Sequence, residues 1–370
     1  MVAIGACVTS YKIQHEALVA IDSKESPGKA VLSFTLVSHS PGELDRVCEN
    51  SLLRARRMGF RGVAISPSFF FSTQDRKLFN KWKILDRGEL ARCLDHALRL
   101  GFQIIYKPHI NTEKFVPWRA YFEVRPDSEY EKIVFEDFWA WISKRRIQIL
   151  SSKIPIHILD ATELETSMVK YPDLWVEHAK NLDQKRNELN MKANIRIGLV
   201  PNWGALEDLK VGDCRSYSRM YSAFDYIAPT LYGDWRGGLE PGFLQTRLKS
   251  LRSDLRSRYG CRLAEAVVKD IEQWGIAEFA TGLKFDAIHD YGSDDKKTFS
   301  NYNAKQQAQY LNKRHQFYKQ FLKDLKSISF KNSTTPVIFW TVGFFDPFGV
   351  SLPVSDSVLD ASLSMELLNY

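Results

Sequence analysis

Short segments rich in β-branched and aromatic residues alternate along this chain with longer amphipathic segments. The first, Ala30 to Ser38, is followed by a helical pattern that Pro41-Gly-Glu43 opens and Gly59 closes. A strand, a helix and a second strand in this order usually form a right-handed crossover between parallel strands. The pattern predicts eight strands separated by helical segments, at residues 30–38, 62–66, 102–106, 154–159, 195–200, 226–228, 273–277 and 336–342.

Eight strand and helix units fit a closed barrel better than an open doubly wound sheet, which usually needs fewer. No glycine-rich phosphate loop follows any predicted strand, and this argues against a nucleotide-binding sheet. No low-complexity linker divides the chain. We therefore expect the α/β fold class, with a short N-terminal extension over residues 1–29 and a single (β/α)8 TIM barrel over residues 30–370.

The charge and hydropathy patterns exclude several classes of partner. The formal net charge is +7, but the cations are dispersed along helical segments rather than gathered in a stripe, so we expect no nucleic-acid partner. No apolar run reaches the roughly 18 residues that a membrane span needs, and no transmembrane segment is expected. We expect a monomer.

The cysteines and the N-terminus bear on the compartment. Five widely spaced cysteines without a Cys-x-x-Cys pair suggest neither a disulfide framework nor a zinc site. The residues Ile4-Gly-Ala-Cys7 loosely resemble a lipoprotein cleavage site whose hydrophobic region has been cut off. An extracytoplasmic location, periplasmic, secreted or on the cell surface, is therefore favoured over a cytoplasmic one.

The fourth predicted strand leads directly into three carboxylates, Asp160, Glu163 and Glu165. Parallel barrels carry their chemistry at the carboxyl ends of the strands, so acids there are expected to point into a shared cleft. Glu163 and Glu165 have the same strand parity, and periodicity cannot choose between them. Glu278 follows the seventh predicted strand on the opposite side of the barrel. A single strand-end glutamate is more often an ion-pair partner or a helix cap, but two of them can flank a glycosidic bond.

The other strand ends and the insertion after the third strand supply polar and aromatic side chains. Aromatic faces stack on the CH faces of sugar rings, while amides and cations contact sugar hydroxyls. This mixture predicts an oligo- or polysaccharide ligand. The residues expected to bind it are Lys107, His109, Asn111, Trp118, Arg119, Asn202, Trp203, Tyr232 and Trp340.

Several short motifs resemble glycoside hydrolase family 113, whose members are retaining (β/α)8 enzymes best known as β-mannanases. The motifs are Lys107-Pro108-His109, Trp118-Arg119, Thr162-Glu163-Leu164, Asn202-Trp203, Asp225-Tyr226-Ile227 with Tyr232, and Ala277-Glu278. The resemblance implies that Glu163 is the acid/base and Glu278 the nucleophile of a double displacement that needs no metal or cofactor. It also implies that a sugar site is lined by Lys107, His109, Arg119, Asn202, Tyr232 and Trp340.

This chain departs from the family at three places, one of which is the Trp-rich eighth strand, kept here only in part at Trp340. Glycine usually precedes the Thr-Glu pair in the family, where this chain has Ala161, and a Gly-Tyr-like sequence follows the nucleophile, where this chain has Phe279-Ala-Thr281. Two alternatives to a β-mannanase therefore stay open. One is a hydrolase of another β-linked glycan, including the glycan strands of peptidoglycan, and the other is a carbohydrate-binding barrel without catalysis.

Overall fold

The structure is a computed structural model, and the expected extension at residues 1–29 lies outside the part of the chain that it describes. The described residues are 31–38, 43–57, 59–72, 77–79, 87–111, 118–202, 206, 208–234, 241–256, 258–263, 276–282, 303, 305, 316, 319–328 and 334–339.

The described strands and helices alternate as the sequence predicts. The strands are β1 (Val31–Ser38), β2 (Gly62–Ser72), β3 (Lys77–Phe79), β4 (Gln103–Tyr106), β5 (His109–Asn111), β6 (Ile156–Asp160), β7 (Ile195–Leu199), β8 (Tyr226–Ile227), β9 (Thr230–Asp234), β10 (Ile276–Gly282) and β11 (Pro336–Phe339). The helices are α1 (Glu43–Arg57), α2 (Arg87–Arg99), α3 (Ser128–Ser152), α4 (Glu165–Lys170), α5 (Pro172–Glu188), α6 (Cys214–Ala223) and α7 (Phe243–Arg256). Two 3-10 turns cover Arg119–Tyr121 and Arg258–Gly260, and residues 319–326 are helical.

The parallel strands form a closed ring. Their order is β8-β7-β6-β4-β2-β1-β11-β10-β9, with β3 and β5 paired to the end of β2. The two ends of this path, β8 and β9, are separated only by Ala228 and Pro229, so they are two halves of one barrel strand. The first half pairs with β7 and the second half with β10. The expected (β/α)8 barrel is confirmed, with its sixth strand divided in this way.

Two predicted strand ends are wrong. The second strand was expected to end at Ser66, but β2 continues to Ser72 because its second half pairs with β3 and β5. The seventh strand was expected to end at Ala277, but β10 extends to Gly282 along β9. β3 is a hairpin neighbour of β2, but β5 and β9 are distant in sequence from the strands that they extend, and the local pattern does not contain that information.

The core has two layers on either side of the strands. Ile104, Ile156 and Ile158 belong to the larger layer between strands and helices, whereas Ile105 and Leu159 belong to a smaller cluster inside the ring. This alternation follows the two-residue period of a strand. No described helix is long and apolar enough to cross a membrane.

Asp160, the last residue of β6, points outward among the helices and not into the cleft where it was expected. It has the parity of Ile156 and Ile158, which face the helices. Its Oδ1 accepts hydrogen bonds from the Tyr130 hydroxyl at 2.6 Å and from the backbone N–H of Ala161 at 2.7 Å. Its Oδ2 accepts one from His178 Nε2 at 2.6 Å.

His178 is a buried cation between two carboxylates. Its Nδ1 lies 2.9 Å from Glu131 and its Nε2 contacts Asp160. Burial lowers the pKa of His178, but the charges and hydrogen bonds of Asp160 and Glu131 outweigh this effect and raise the pKa to about 9. The ring is therefore protonated at neutral pH and donates from both nitrogens.

The chain after Asp160 turns sharply through two left-handed residues. Ala161 has φ 55° and Glu163 has φ 57°, values that non-glycine residues rarely adopt. The backbone N–H of Glu163 donates to Val200 at 3.0 Å, which joins the turn to the end of β7. Left-handed geometry at residue 161 explains why glycine suits this position, and it directs Glu163 back over the ring.

The cysteines form two disulfides, so the expectation of no disulfide framework is wrong. Cys48 of α1 bonds Cys93 of α2, and Cys214 of α6 bonds Cys261, which follows the second 3-10 turn. The partners are 45 and 47 residues apart. They meet only because successive units of the barrel pack side by side, which spacing along the chain does not reveal.

Replacing Ala161 by glycine should stabilise the fold. Glycine adopts φ 55° without a Cβ clash, so we expect Ala161→Gly to raise the free energy of unfolding by about 1 kcal/mol, measured by urea denaturation. Ala179→Gly within α5 is the matched control and should lower it by about 1 kcal/mol or more. Equal losses in the two variants would show that residue 161 is not strained.

The His178 network predicts a loss of stability at alkaline pH. The folded-state pKa of His178, about 9, is above the unfolded value near 6.5. Its contribution is therefore complete below pH 6.5 and is lost as the pH rises through 9, by up to about 3 kcal/mol. Urea unfolding between pH 6 and 9.5 should show this slope in the wild type and a flatter one in His178→Gln.

His157→Gln is the matched control for that slope. Burial, with a smaller contribution from Arg196, lowers the pKa of His157 to about 3, so its ring stays neutral over the whole range. The control should keep the alkaline slope of the wild type. Identical slopes in all three proteins would refute the assignment to His178.

Candidate functional site

Glu163 lies at the carboxyl end of the barrel with a donor on each side of its carboxylate. Oε1 accepts from Asn202 Nδ2 at 2.8 Å and from the Thr230 hydroxyl at 2.9 Å. Oε2 accepts from Trp118 Nε1 at 3.1 Å and lies 3.4 Å from Arg119 Nη1. The residue is 4% exposed. Four side chains from three separate parts of the chain therefore fix this one carboxyl.

Arg119 is held in turn from β5. Its Nη2 donates to Asn111 Oδ1 at 3.1 Å, and Asn111 Nδ2 donates to the Ser68 hydroxyl at 3.2 Å. Asn111 was expected to contact the ligand, but it is buried and contacts the guanidinium that reaches Glu163. Its described contacts therefore make it a support for Arg119.

Lys107 and His109 lie on the same rim and are completely buried. Lys107 follows β4 directly, and His109 begins β5, whose backbone pairs with Ser68 of β2. Both positions agree with the expectation that these residues belong to the strand ends of the barrel. Their contact with a ligand stays a prediction.

Trp118 and Tyr121 form an exposed aromatic pair beside Glu163. Their side chains are 39% and 58% exposed, and the ring centroids are 6.4 Å apart at an angle of 76°. The 3-10 turn Arg119–Tyr121 brings the two rings together. Tyr121 was not among the predicted site residues. Residues three apart lie on the same side of a 3-10 turn, so its spacing from Trp118 could have predicted that the two rings lie together.

Glu278 lies in β10, directly beside Thr230 of β9. The Cα positions of these two residues are paired in the parallel ladder. Tyr232, another predicted site residue, lies two positions further along β9 and is paired with Ala280. The described part of Glu278 and Tyr232 is the backbone, and Trp203 and Trp340 lie outside the described residues.

The parity argument assumed that Glu165 and Glu163 lie on one strand, but they do not. It is the first residue of α4, because the left-handed turn at Ala161 and Glu163 ends the extended segment. Its carboxylate is fully buried, 3.7 Å from Arg258, and accepts from the backbone N–H of Asn202. Burial raises the pKa of Glu165 to about 7, against the lowering effects of Arg258 and that N–H. Of the two glutamates, Glu163 therefore remains the one predicted to contact a ligand.

The arrangement suits proton transfer to or from a bound ligand. Glu163 combines a buried, anchored oxygen with a second oxygen next to the partly exposed Trp118. Within the described ranges, no group of three or more His, Cys, Asp or Glu side chains is placed to hold a metal ion.

Comparisons with known proteins give the fold. No protein-family model matches the chain, and no curated protein matches it. A solved structure of a GH113 β-1,4-mannanase has 16% sequence identity and a TM-score of 0.55, with 90% of this chain and 99% of that chain covered. A GH113 β-1,4-mannanase complex has 14% identity and a TM-score of 0.51, with 90% and 97% covered. The chain therefore has a (β/α)8 barrel similar to that of the GH113 β-mannanases.

Proposed function

We propose that this protein is a retaining glycoside hydrolase that cleaves a β-linked polysaccharide, β-mannan or a related glycan, with Glu163 as acid/base and Glu278 as nucleophile. One observation carries the proposal: Thr230 lies next to both glutamate positions. Its hydroxyl donates to Glu163, and its Cα is paired with that of Glu278. Retaining enzymes hold their two carboxyls only about 5 Å apart.

The strand geometry supports this pairing of roles. Neighbouring parallel strands lie about 4.8 Å apart, and residues in register project to the same side of the sheet. Because Glu278 is in register with Thr230, we propose its carboxylate as the second group of the catalytic pair. The likeness in fold to the GH113 β-mannanases supports a substrate of the same class.

In the proposed reaction, protonated Glu163 gives its proton to the glycosidic oxygen while the Glu278 carboxylate attacks the anomeric carbon. The bond to the leaving sugar breaks and a glycosyl ester of Glu278 forms. Glu163, now ionised, takes a proton from water, whose oxygen attacks the anomeric carbon and releases Glu278. Each oxygen of Glu163 accepts from two donors, but Oε2 lies on the side of the partly exposed Trp118, so we assign proton transfer to Oε2.

The aromatic pair Trp118 and Tyr121 is proposed as a sugar-stacking surface next to the cleaved bond. Both rings are exposed, and Trp118 also touches Glu163, so a sugar stacked there lies within reach of the acid.

The two disulfides support an extracytoplasmic location. Structural disulfides persist in oxidising compartments and are rare in the cytosol.

Substitution of the two glutamates separates their roles. On polysaccharide, Glu163→Gln should lower kcat by about 10²- to 10⁴-fold, and Glu278→Gln should abolish turnover. An aryl glycoside with a good leaving group needs no protonation, so Glu163→Gln should still release a burst of phenol in the first turnover, whereas Glu278→Gln should not. Stopped-flow absorbance measures the burst, and Glu188→Gln on the exposed surface of α5 is the control.

The substrate is identified by reducing-end release from β-mannan, β-glucan, chitin, chitosan and peptidoglycan. Cleavage of peptidoglycan alone would select the alternative hydrolase. The protein could instead bind one glycan, release reducing ends from none, and keep this binding in Glu278→Gln. That result would refute the hydrolase and favour a carbohydrate-binding barrel without catalysis.

A further inference from the structure

A buried ion pair lies behind Glu163, outside the set of groups that would touch a sugar. Glu165 comes from the start of α4, and Arg258 comes from the 3-10 turn that follows α7. Their side chains are 0% and 2% exposed, with Arg258 Nη2 3.7 Å from Glu165 Oε1. A buried ion pair gains little stability over an apolar pair of the same size, so its presence here calls for a positional explanation.

The two charges hold the backbone of one residue, Asn202, on both sides of its Cα. The backbone N–H of Asn202 donates to Glu165, and the backbone carbonyl of Asn202 accepts from Arg258 Nη2 at 2.7 Å. Asn202 lies three residues beyond the end of β7, and the last sheet-like backbone hydrogen bond before it joins the Thr230 N–H to the Pro201 carbonyl at 3.2 Å. At Asn202 itself, the ion pair supplies the partners of both the backbone N–H and the backbone carbonyl.

The side chain of Asn202 passes this constraint to Glu163. Its Nδ2 donates to Glu163 Oε1 at 2.8 Å. Contacts thus run from the ion pair to the backbone of Asn202, and from its side-chain amide to the carboxyl proposed as the acid/base.

The turn that carries Arg258 is itself firmly fixed. Cys261, bonded to Cys214, donates its backbone N–H to the Arg258 carbonyl at 2.9 Å. Val211 N–H donates to the Tyr259 carbonyl at 3.1 Å, and the Arg258 guanidinium lies 5.0 Å from the centre of the Tyr259 ring. Because the turn is held in these ways, the Arg258 guanidinium has a fixed position from which it binds the Asn202 carbonyl.

We propose that Glu165 and Arg258 are positioning residues, which hold the Asn202 peptide and thereby set the orientation and proton affinity of Glu163. The inference rests on the proposed function, in which Glu163 is the acid/base. The ionisable groups around Glu165 are Arg258, Glu163, Tyr217, Tyr221 and Tyr259. Because Asn202 mediates the effect, removal of its side chain should make Glu163 insensitive to Arg258.

A double-mutant cycle tests this dependence. Arg258→Gln should lower kcat on the order of 10- to 100-fold, since small displacements of catalytic groups have effects of this size, and should leave KM within about twofold. In an Asn202→Ala background the same substitution should change kcat by less than about twofold. Additive effects in the two backgrounds would overturn the proposal.

A second readout does not need activity. The pKa of Glu163, followed by ¹³C-carboxyl NMR, should rise in Asn202→Ala because the carboxylate loses a donor, and should rise in Arg258→Gln for the same reason. It should rise no further in the double variant. A further rise there would indicate a direct charge effect of Arg258 and refute positioning through Asn202.

Arg186 provides the matched control. It is a buried arginine that donates to the backbone carbonyl of Ile195, at the opposite end of the same strand β7, and it pairs with Asp225. Arg186→Gln should lower the free energy of unfolding but leave kcat and the pKa of Glu163 unchanged. Equal effects of the two arginines on kcat would reduce Arg258 to a general stabilising role.

Two further results keep the proposals separate. If Arg258→Gln fails to fold, the charge-free pair Glu165→Gln with Arg258→Gln takes its place in the cycle, with the same expected dependence on Asn202. If the wild type cleaves no glycan, the proposed hydrolase fails, whereas the NMR cycle still confirms or refutes the positioning of Glu163.

Discussion

The buried carboxylate of Asp160 is the interaction on which the rest of the site depends. Strand alternation sends this side chain outward among the helices, where an unpaired charge would cost several kcal/mol. Tyr130 of α3, His178 of α5 and the N–H of Ala161 supply its partners. The same carboxylate therefore fixes two helices against β6 and secures the backbone turn that returns Glu163 to the opening of the ring.

Much of the fold could be predicted because a barrel repeats a local pattern. Hydrophobic periodicity locates β6 and β7, and their ends locate Glu163 and Asn202. The remaining errors concern interactions that a local pattern does not contain. The lengths of β2 and β10 depend on distant pairing partners, and the disulfides join neighbouring barrel units. The left-handed turn at Ala161 contains no glycine, so the sequence did not predict it. The turn ends the extended segment, and the assumption that Glu163 and Glu165 share a strand was therefore wrong.

Polar residues around the site fall into two groups that composition alone does not separate. Trp118 and Arg119 approach the Glu163 carboxyl from the open side, whereas Asn111 is occupied with Arg119 behind it. Asn202 belongs to both groups, because its amide touches Glu163 and its peptide is held by buried charges. A position at a strand end predicts that a residue lies at the carboxyl end of the barrel. Only the contacts show which of these residues face the open side and which hold another side chain in place.

The pairing of β1 with β11 has a consequence for biosynthesis. Val31 is in register with Pro336, about 300 residues later in the chain. At translation rates of 5 to 20 residues per second, the first strand waits roughly 15 to 60 s on the ribosome before its second neighbour emerges. During that interval it exposes unpaired backbone groups on one side, the kind of edge to which other extended chains add. The ring can therefore close only after β11 has left the ribosome, whatever part of the chain has folded before it.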